Sequence, residues 1–512
     1  WFRDYGVEFK TAGTPADAYF ALGEPGKDDS VKKISGGGSE IYMLQGEYPH
    51  FAEREYKAVI GKSDGVKDTS VEEIKRAGDW AYGDYGSYGI IISMPWLAER
   101  YPKEISFGKR GARAVLWSGR SGKELDFRGS TLAKEYWQSW ADKAPGSPGV
   151  KKLSEFGSNA EGSCRTHDMW FLPMPGGYRA DTAMKAGKAA SRTPLVIADP
   201  EWLCKTEAMG YPMLHKDTER FPREEALISE CWKRFMIPYM AFPLTGFIEW
   251  GDFSTWQYSS VGGRIMAHFH ILTNIDRYSV RREPWRLYAR SGERTYYDYG
   301  HRFSRFSGDW YLIHHDSKSV PIRKRGTFMS FSPEGGKLPF VWGQTATQYI
   351  TNGGDIGCWL TDYWLTGDER SLGLLKMLKE SVKKNWKLDA AIGVNQSKVV
   401  RELVTLSIMD HDPDITKMAM DVARSMFDME SQNGIRMFRG SYGTMYKDHR
   451  TSHNTAEYYL ETGDELAREA FLKLMDQRYR FDRRYNPISH KNYDGFTAAV
   501  AYLASGEERY RR

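Results

Sequence analysis

One phrase recurs in the C-terminal half of the chain and restricts the fold more than any other feature. It reads Tyr288-Ala-Arg-Ser-Gly-Glu293, Tyr363-Trp-Leu-Thr-Gly-Asp368, Tyr459-Leu-Glu-Thr-Gly-Asp464 and Tyr502-Leu-Ala-Ser-Gly-Glu507. Each copy closes an apolar helical pattern, and in most cases a second helical pattern follows. Glycine takes the left-handed position that ends a helix, and the acid after it caps the next one while its charge favours that N-terminus. The glycines at 292, 367, 463 and 506 are 75, 96 and 43 residues apart. A further helix break at Asp410-His-Asp-Pro413 divides the longest interval in two. Helical hairpins of about 45 to 50 residues, one with an insertion near 309–345, fit a toroid of paired helices, and an open solenoid has the same period.

Residues 1–130 have a different texture. Short alternating segments, Glu40–Leu44, Tyr88–Ser93, Arg113–Trp117 and Glu124–Phe127, are separated by Gly, Asp, Lys and Ser. This predicts an antiparallel sheet or sandwich. A helix near 131–142, a Gly/Pro/Ser bridge at 145–149 and a strand-like stretch at 164–173 follow, and helical pattern dominates from about 197. The expected fold is multidomain α+β: an N-terminal antiparallel β-sandwich over 1–195 and a C-terminal (α/α) toroid over 196–512. The chain opens at Trp1 directly before a strand-like segment, so sequence upstream is expected.

Composition narrows the function classes. Apolar residues are 41% and charged residues 27% of the chain, which describes a folded, water-soluble protein. No run approaches the roughly 18 apolar residues of a membrane span. The four cysteines form no C-x-x-C pair, which points to buried free thiols and away from zinc ribbons or a disulfide scaffold. There is no phosphate-binding loop, dinucleotide fingerprint or G-x-S-x-G elbow, and no nucleic-acid-binding module accompanies the basic runs. The 17 Trp and 31 Tyr suit surfaces that stack on sugar rings.

Chemistry-bearing residues gather in three places: Arg165, His167 and Asp168; the stretch from Glu249 through His268 and His270 to Arg282; and Trp310 to Asp316. His268-x-His270 and His314-His315-Asp316 lack the helical i, i+4 spacing of zinc enzymes, so no catalytic metal or cofactor is expected, with a structural calcium or zinc left open. A glycoside hydrolase would need two facing carboxylates, for which Asp252, Asp276 and Asp355 are the available acids. Elimination at a uronic acid instead needs Arg or Asn to offset the carboxylate and His or Tyr to move protons. The clusters are richer in the second set. A non-catalytic glycan-binding protein is the third reading.

The order of short motifs resembles the exo-rhamnogalacturonan lyase-like group, related to polysaccharide lyase family 40 with its ulvan lyases. The motifs are Trp96-Leu-Ala-Glu-Arg-Tyr-Pro-Lys-Glu104, Leu125-Asp-Phe-Arg128, Arg165-Thr-His167, Trp250-Gly-Asp252, Asn274 with Tyr278, Tyr288 to Gly292, His314-His315 and Leu365-Thr-Gly-Asp368. The resemblance spans about 85–375, and Trp342 and Asp355 stand in a region where the group has histidines. It implies a barrel preceding the sandwich, a toroid after it, and β-elimination at a uronic acid linked to rhamnose. Ulvan is favoured because Arg and Lys are frequent over 277–325, with rhamnogalacturonan-I the alternative. It further implies His167 and Tyr278 as the proton-transfer pair, with His314 a competing base. Arg165 and Asn274 would offset the carboxylate and Arg281 would hold sulfate, while Trp250, His315 and Trp342 would line the substrate site. The expected partner is an acidic polysaccharide, with no nucleic acid and no membrane, and the expected location is secreted or periplasmic.

Overall fold

The computed structural model describes residues 4–24, 30–47, 56–125, 162, 164–176, 180–192, 194–209, 213–241, 245–247, 250–251, 254–261, 264–271, 282–310, 312–316, 325–326, 328–330, 346–348, 356–385, 394–433, 449–485 and 495–510. The N-terminal part consists of two antiparallel sheets. One has six strands in the order β1 (Tyr5–Phe9), β10 (Gly111–Trp117), β9 (Lys103–Gly108), β4 (Glu40–Glu47), β5 (Lys57–Ser63) and β6 (Asp68–Ile74). The other orders β11 (Trp170–Pro175), β8 (Tyr88–Ser93), β7 (Ala77–Asp84), β2 (Asp17–Leu22) and β3 (Val31–Ser35).

One apolar cluster joins inward positions of both sheets, including Phe20, Ile41, Met43, Ile60, Ala81, Ile90, Ile92, Ile105 and Phe107, as alternation along each strand requires. The five-stranded sheet is covered on its other face too. Helix α1 (Ala180–Ser191) packs Ala183 with Trp80, Tyr82 and Ile91, and a Cβ built on its Gly187 would lie 2.4 Å from the Trp80 indole. This explains why β7 is buried on both sides and reads as a near-continuous apolar run.

The rest of the described chain is mostly helical: α2 (Pro200–Lys205), α3 (Pro222–Ala241), α4 (Glu283–Ser291), α5 (Arg294–Trp310), α6 (Gly357–Thr366), α7 (Glu369–Asn385), α8 (Val394–Asp410), α9 (Pro413–Asn433), α10 (His449–Thr462), α11 (Glu465–Tyr485) and α12 (Gly495–Ser505). Two short hairpins interrupt it, β12 (Ser254–Val261) with β13 (Arg264–Ile271) and β14 (Phe328–Ser330) with β15 (Ala346–Gln348). His268 and His270 fall on β13, opposite Gln257 and Thr255.

The repeated phrase does what its residue types predict. Gly292, Gly367, Gly463 and Gly506 have φ of 70°, 71°, 65° and 70°. Their amides donate to the carbonyls of Tyr288, Tyr363, Tyr459 and Tyr502 at 2.7, 2.7, 2.8 and 2.7 Å. The Ser or Thr before each glycine adds a link: its hydroxyl donates one turn back and accepts the N–H of the acid that follows, as Thr366 does with Asp362 and Asp368 and Thr462 with Tyr458 and Asp464. Asp368 and Asp464 then cap α7 and α11 through the amides of Arg370 (2.7 Å) and Leu466 (2.9 Å). The break at 410–413 is a further turn of this kind, with His411 at φ 54° and Asp412 capping α9.

Hairpins α4/α5, α6/α7, α8/α9 and α10/α11 stack so that α4, α6, α8, α10 and α12 make one layer, with α5–α7 and α9–α11 contacts behind it. The first and fourth members of the front layer also meet, through Arg286–Glu457 at 2.8 Å. Between these helices lies a core containing Trp285, Trp359, Leu375, Leu403 and Tyr458.

Three expectations change. The strand-like stretch at 164–173 is a strand only from Trp170; Cys164 to Met169 has no regular secondary structure and is held at Thr166 by the Asp309 side chain. The 1–195 unit ends in a helix, because α1 is needed to cover the second sheet face. The cysteines are free, but Cys231 is exposed on α3, while Cys204 and Cys358 are buried. The helix near 131–142 and the bridge at 145–149 lie outside the described residues. Among the described residues no helix is long and apolar enough to cross a membrane.

Candidate functional site

The sandwich and the helices are joined by a polar seam. Its first wall is the turn between β8 and β9. The buried carboxylate of Asp79 accepts the amides of Trp96 (3.0 Å) and Leu97 (3.1 Å), which fixes Trp96 at φ 61°. Burial and the neighbouring Glu99 raise the Asp79 pKa to about 7. Arg100 then leaves the turn and donates to the Thr166 carbonyl. Lys103 begins β9 on the same strand face as Ile105 and Phe107, so its ammonium lies at the end of the sandwich core.

The second wall is the segment 164–168. Asp309, near the end of α5 and 1% exposed, accepts the Thr166 amide at 2.7 Å and the Thr166 hydroxyl at 2.6 Å. The chain after α5 runs back along this segment, with the His314 amide donating to the Gly162 carbonyl at 2.8 Å. Arg370 of α7 reaches Asp309 (3.3 Å), the Cys164 thiol (3.4 Å) and the His314 ring (3.5 Å). The site therefore draws on β9, the 95–100 turn, the 162–168 segment, α5 and α7.

His167 sits at the centre. Its Nδ1 is 3.0 Å from Lys103 Nζ, its ring packs on Phe247 at 5.1 Å between centroids, and its Nε2 is buried with no hydrogen-bond partner. Burial, then the charges of Arg100, Lys103 and Arg165, hold its pKa well below the usual histidine range. Lys103, 1% exposed, is likewise pushed well below the ordinary lysine value by burial and by Arg100. His167 is therefore neutral near pH 7, and burial disfavours the ammonium form of Lys103. Lys103 as a neutral amine accepts the Nδ1 proton of the ring and leaves Nε2 as a lone pair, whereas as an ammonium it donates to Nδ1 and the ring proton sits on Nε2.

Arg165 is tied down by the structure. Its Nε donates to the Phe247 carbonyl at 2.7 Å, one Nη donates to the Trp250 carbonyl at 2.5 Å, and the other is 3.7 Å from Asp309. Trp250 is 2% exposed and enclosed by Arg100, Arg165 and Arg302, with ring-centroid distances of 4.4, 5.7 and 5.2 Å. It serves as a cation–π hub at the seam and offers no open face to a sugar. The His314 ring is engaged on both sides: Nε2 lies 2.7 Å from the Gly308 carbonyl, Arg370 is 3.5 Å away, and burial followed by Arg370 lowers its pKa to about 4. His315 is exposed beside it. The structure thus brings Arg165, His167, Trp250, His314 and His315 to one region. Tyr278, Asn274, Arg281 and Trp342, and the acids Asp252, Asp276 and Asp355, lie outside the described residues.

Sequence reasoning passed over Lys103, Arg100, Asp309 and Arg370. Lys103 had a readable signal, a charge at an inward position of the alternation Lys103, Ile105, Phe107. Asp309 and Arg370 had none, since each matters only through a contact across more than sixty residues. No protein-family model matches the chain, and no curated protein is significantly similar to it.

Proposed function

We propose that this chain is a polysaccharide lyase that cleaves a uronic acid–rhamnose polysaccharide by β-elimination, on a sandwich followed by an α/α toroid. The observation that carries the reading is His167: an imidazole kept neutral, held at Nδ1 by the buried Lys103, with Nε2 unengaged and arginines close by. Elimination begins with removal of the proton at C5 of the uronate. The base must be unprotonated, and positive charge must offset the carboxylate so that charge developing at C5 is stabilised. His167 Nε2 takes the proton, the C5–H electrons form the C4–C5 double bond, and the C4–O bond breaks. A proton donor completes the leaving oxygen. Tyr278 is the proposed donor, with His314 the alternative base. Ulvan is the favoured substrate and rhamnogalacturonan-I the alternative.

The stacking of parallel front-layer helices supports the toroid, since the Arg286–Glu457 contact turns the row back towards its start. The test is to offer ulvan and rhamnogalacturonan-I separately and follow the ultraviolet absorbance of the unsaturated uronate. Growth on either substrate, abolished in His167→Ala, is the expected result. New reducing ends without absorbance would replace elimination by hydrolysis.

A further inference from the structure

A second cluster lies beside the seam, where α5, α6 and the cap of α7 meet. His301 Nδ1 stands 3.6 Å from Asp362 Oδ1 and 3.9 Å from Asp368 Oδ2. All three atoms are within 4.8 Å of one another. None of the groups is free to wander. The His301 ring stacks on Tyr297 at 5.6 Å and 10°. Asp362, 0% exposed, is held by the Ser371 hydroxyl (2.9 Å) and the Thr366 hydroxyl (3.1 Å). Asp368 spends Oδ1 on the α7 amides, which directs Oδ2 inward.

Two observations suggest that this cluster is built for a cation. His301 Nδ1 is buried without a hydrogen-bond partner. The inward oxygen of Asp368 already holds a cation at 2.8 Å. The positive charge now present is Arg305, one turn along α5. It bonds Asp368 Oδ2 at 2.8 Å and approaches His301 Nε2 at 3.4 Å, and it also lies 3.4 Å from Asp168. Asp168 is 46% exposed and lies next to His167.

We propose that His301, Asp362 and Asp368 bind a divalent first-row ion, zinc foremost, and that the ion displaces Arg305 from Asp368 onto Asp168. One imidazole and two carboxylates form a donor set that suits zinc and leaves a position for water. Ligand atoms around zinc sit about 3.4 Å apart at bond lengths near 2.1 Å, so the two His301 contacts, at 3.6 and 3.9 Å, need to close only slightly. The displacement is chemically consistent. Arg305 touches both groups that must change: it occupies the Asp368 oxygen the ion needs, and it donates towards the ring nitrogen that carries the proton once Nδ1 ligates. The Ser371 and Thr366 hydroxyls remain as the outer partners that orient the carboxylate.

The experiment is calorimetric zinc titration of the full chain after treatment with a chelator, so its readout is binding and independent of any lyase activity. One equivalent of zinc is expected, with binding at least ten-fold weaker in His301→Ala and in Asp362→Asn, each checked for native circular dichroism. Arg305→Gln removes the competing cation and should bind zinc more tightly than the parent. Absence of zinc binding, or binding unaltered in both ligand variants, overturns the site. Weaker binding in a folded Arg305→Gln overturns the displacement.

Discussion

Replacing Asp309 by asparagine tests whether the seam is held together as described. The carboxylate accepts two hydrogen bonds from Thr166, at 2.7 and 2.6 Å, and lies 3.3 Å from Arg370 and 3.7 Å from Arg165. Asparagine nearly preserves the shape. Its oxygen still accepts the Thr166 amide, and its amide can donate to the Thr166 hydroxyl. What is lost is charge. Hydrogen bonds to a charged acceptor contribute about 1.5–3 kcal/mol against about 1 for neutral ones, so the two bonds together lose about 2 kcal/mol. Arg165, with only 5% of its side chain exposed, keeps its carbonyl acceptors but loses its carboxylate. Breaking a buried ion pair from one side costs about 3–5 kcal/mol when the survivor is fully buried. Because 30% of the Arg370 side chain reaches solvent, the lower part of that range applies, and with the hydrogen-bond loss the expected total is about 5 kcal/mol. Urea unfolding followed by tryptophan fluorescence measures it, since Trp250 lies beside the site. A variant within about 0.5 kcal/mol of the parent, the ordinary range of surface changes, would refute the account of Asp309 as the clamp on the 164–168 segment.

Other expectations follow from single contacts. His314 has a native pKa of about 4 against 6.5 for the unperturbed group. The unfolded chain therefore binds the proton first, and stability present above pH 6.5 falls as pH drops towards 4. His314→Gln should flatten that part of the stability–pH curve, and an unchanged slope would mean that the ring is not held neutral. Gly187→Ala would raise stability in an isolated helix by about 1 kcal/mol. Here its Cβ would strike the Trp80 indole, and overpacking of about 1–3 kcal/mol should reverse the sign; a raised melting temperature would show that α1 is not seated on the sheet as described. If His167 is the base, its lowered pKa places the acidic limb of kcat/KM below the usual histidine range. Lys103→Met, which removes the group at Nδ1, should cut kcat at least ten-fold with little change in KM, and a pure KM effect would argue for a substrate contact instead.

The parts of this fold that could be read from sequence are those determined within a few residues. The four Tyr-to-Gly phrases end helices because the glycine conformation, the hydroxyl before it and the acid after it act over one turn. Tyr88–Ser93 is found as a strand with the bounds its alternation suggests. Arg113–Trp117 lies inside β10, and the short Glu40–Leu44 segment begins β4. The site was only half legible for the same reason. Histidines drew attention to 167 and 314, and both are in the seam. Trp250 was chosen as a surface for sugar, but an aromatic residue cannot reveal from its own sequence that three arginines will cover it. Thr166 and Asp309 are 143 residues apart, and no local pattern records such a bond. His301 sits in the helical run Tyr296-Tyr-Asp-Tyr-Gly-His301, where it reads as an ordinary helix residue. Of its acids, Asp362 is buried within α6 and Asp368 was already explained as a cap.

That double use has a physical basis. A helix cap needs one carboxylate oxygen, and the second is free to point elsewhere. In the α6/α7 turn it points towards α5, where Arg305 and His301 lie. A buried carboxylate that keeps an inward oxygen is costly unless a cation lies against it, so each hairpin turn adjoining the seam brings a cation with it. Arg305 answers Asp368, and Arg370 answers Asp309. These arginines stand between the helical hairpins and the 164–168 segment, and each also touches a group next to His167 or His314. Arg370, which helps seat α7 against that segment, also lowers the His314 pKa, whereas the state of His167 is set by burial and by Arg100, Lys103 and Arg165. Replacing Arg370 will therefore change stability and the state of His314 together, whereas replacing Lys103 acts on His167 through its contact with Nδ1.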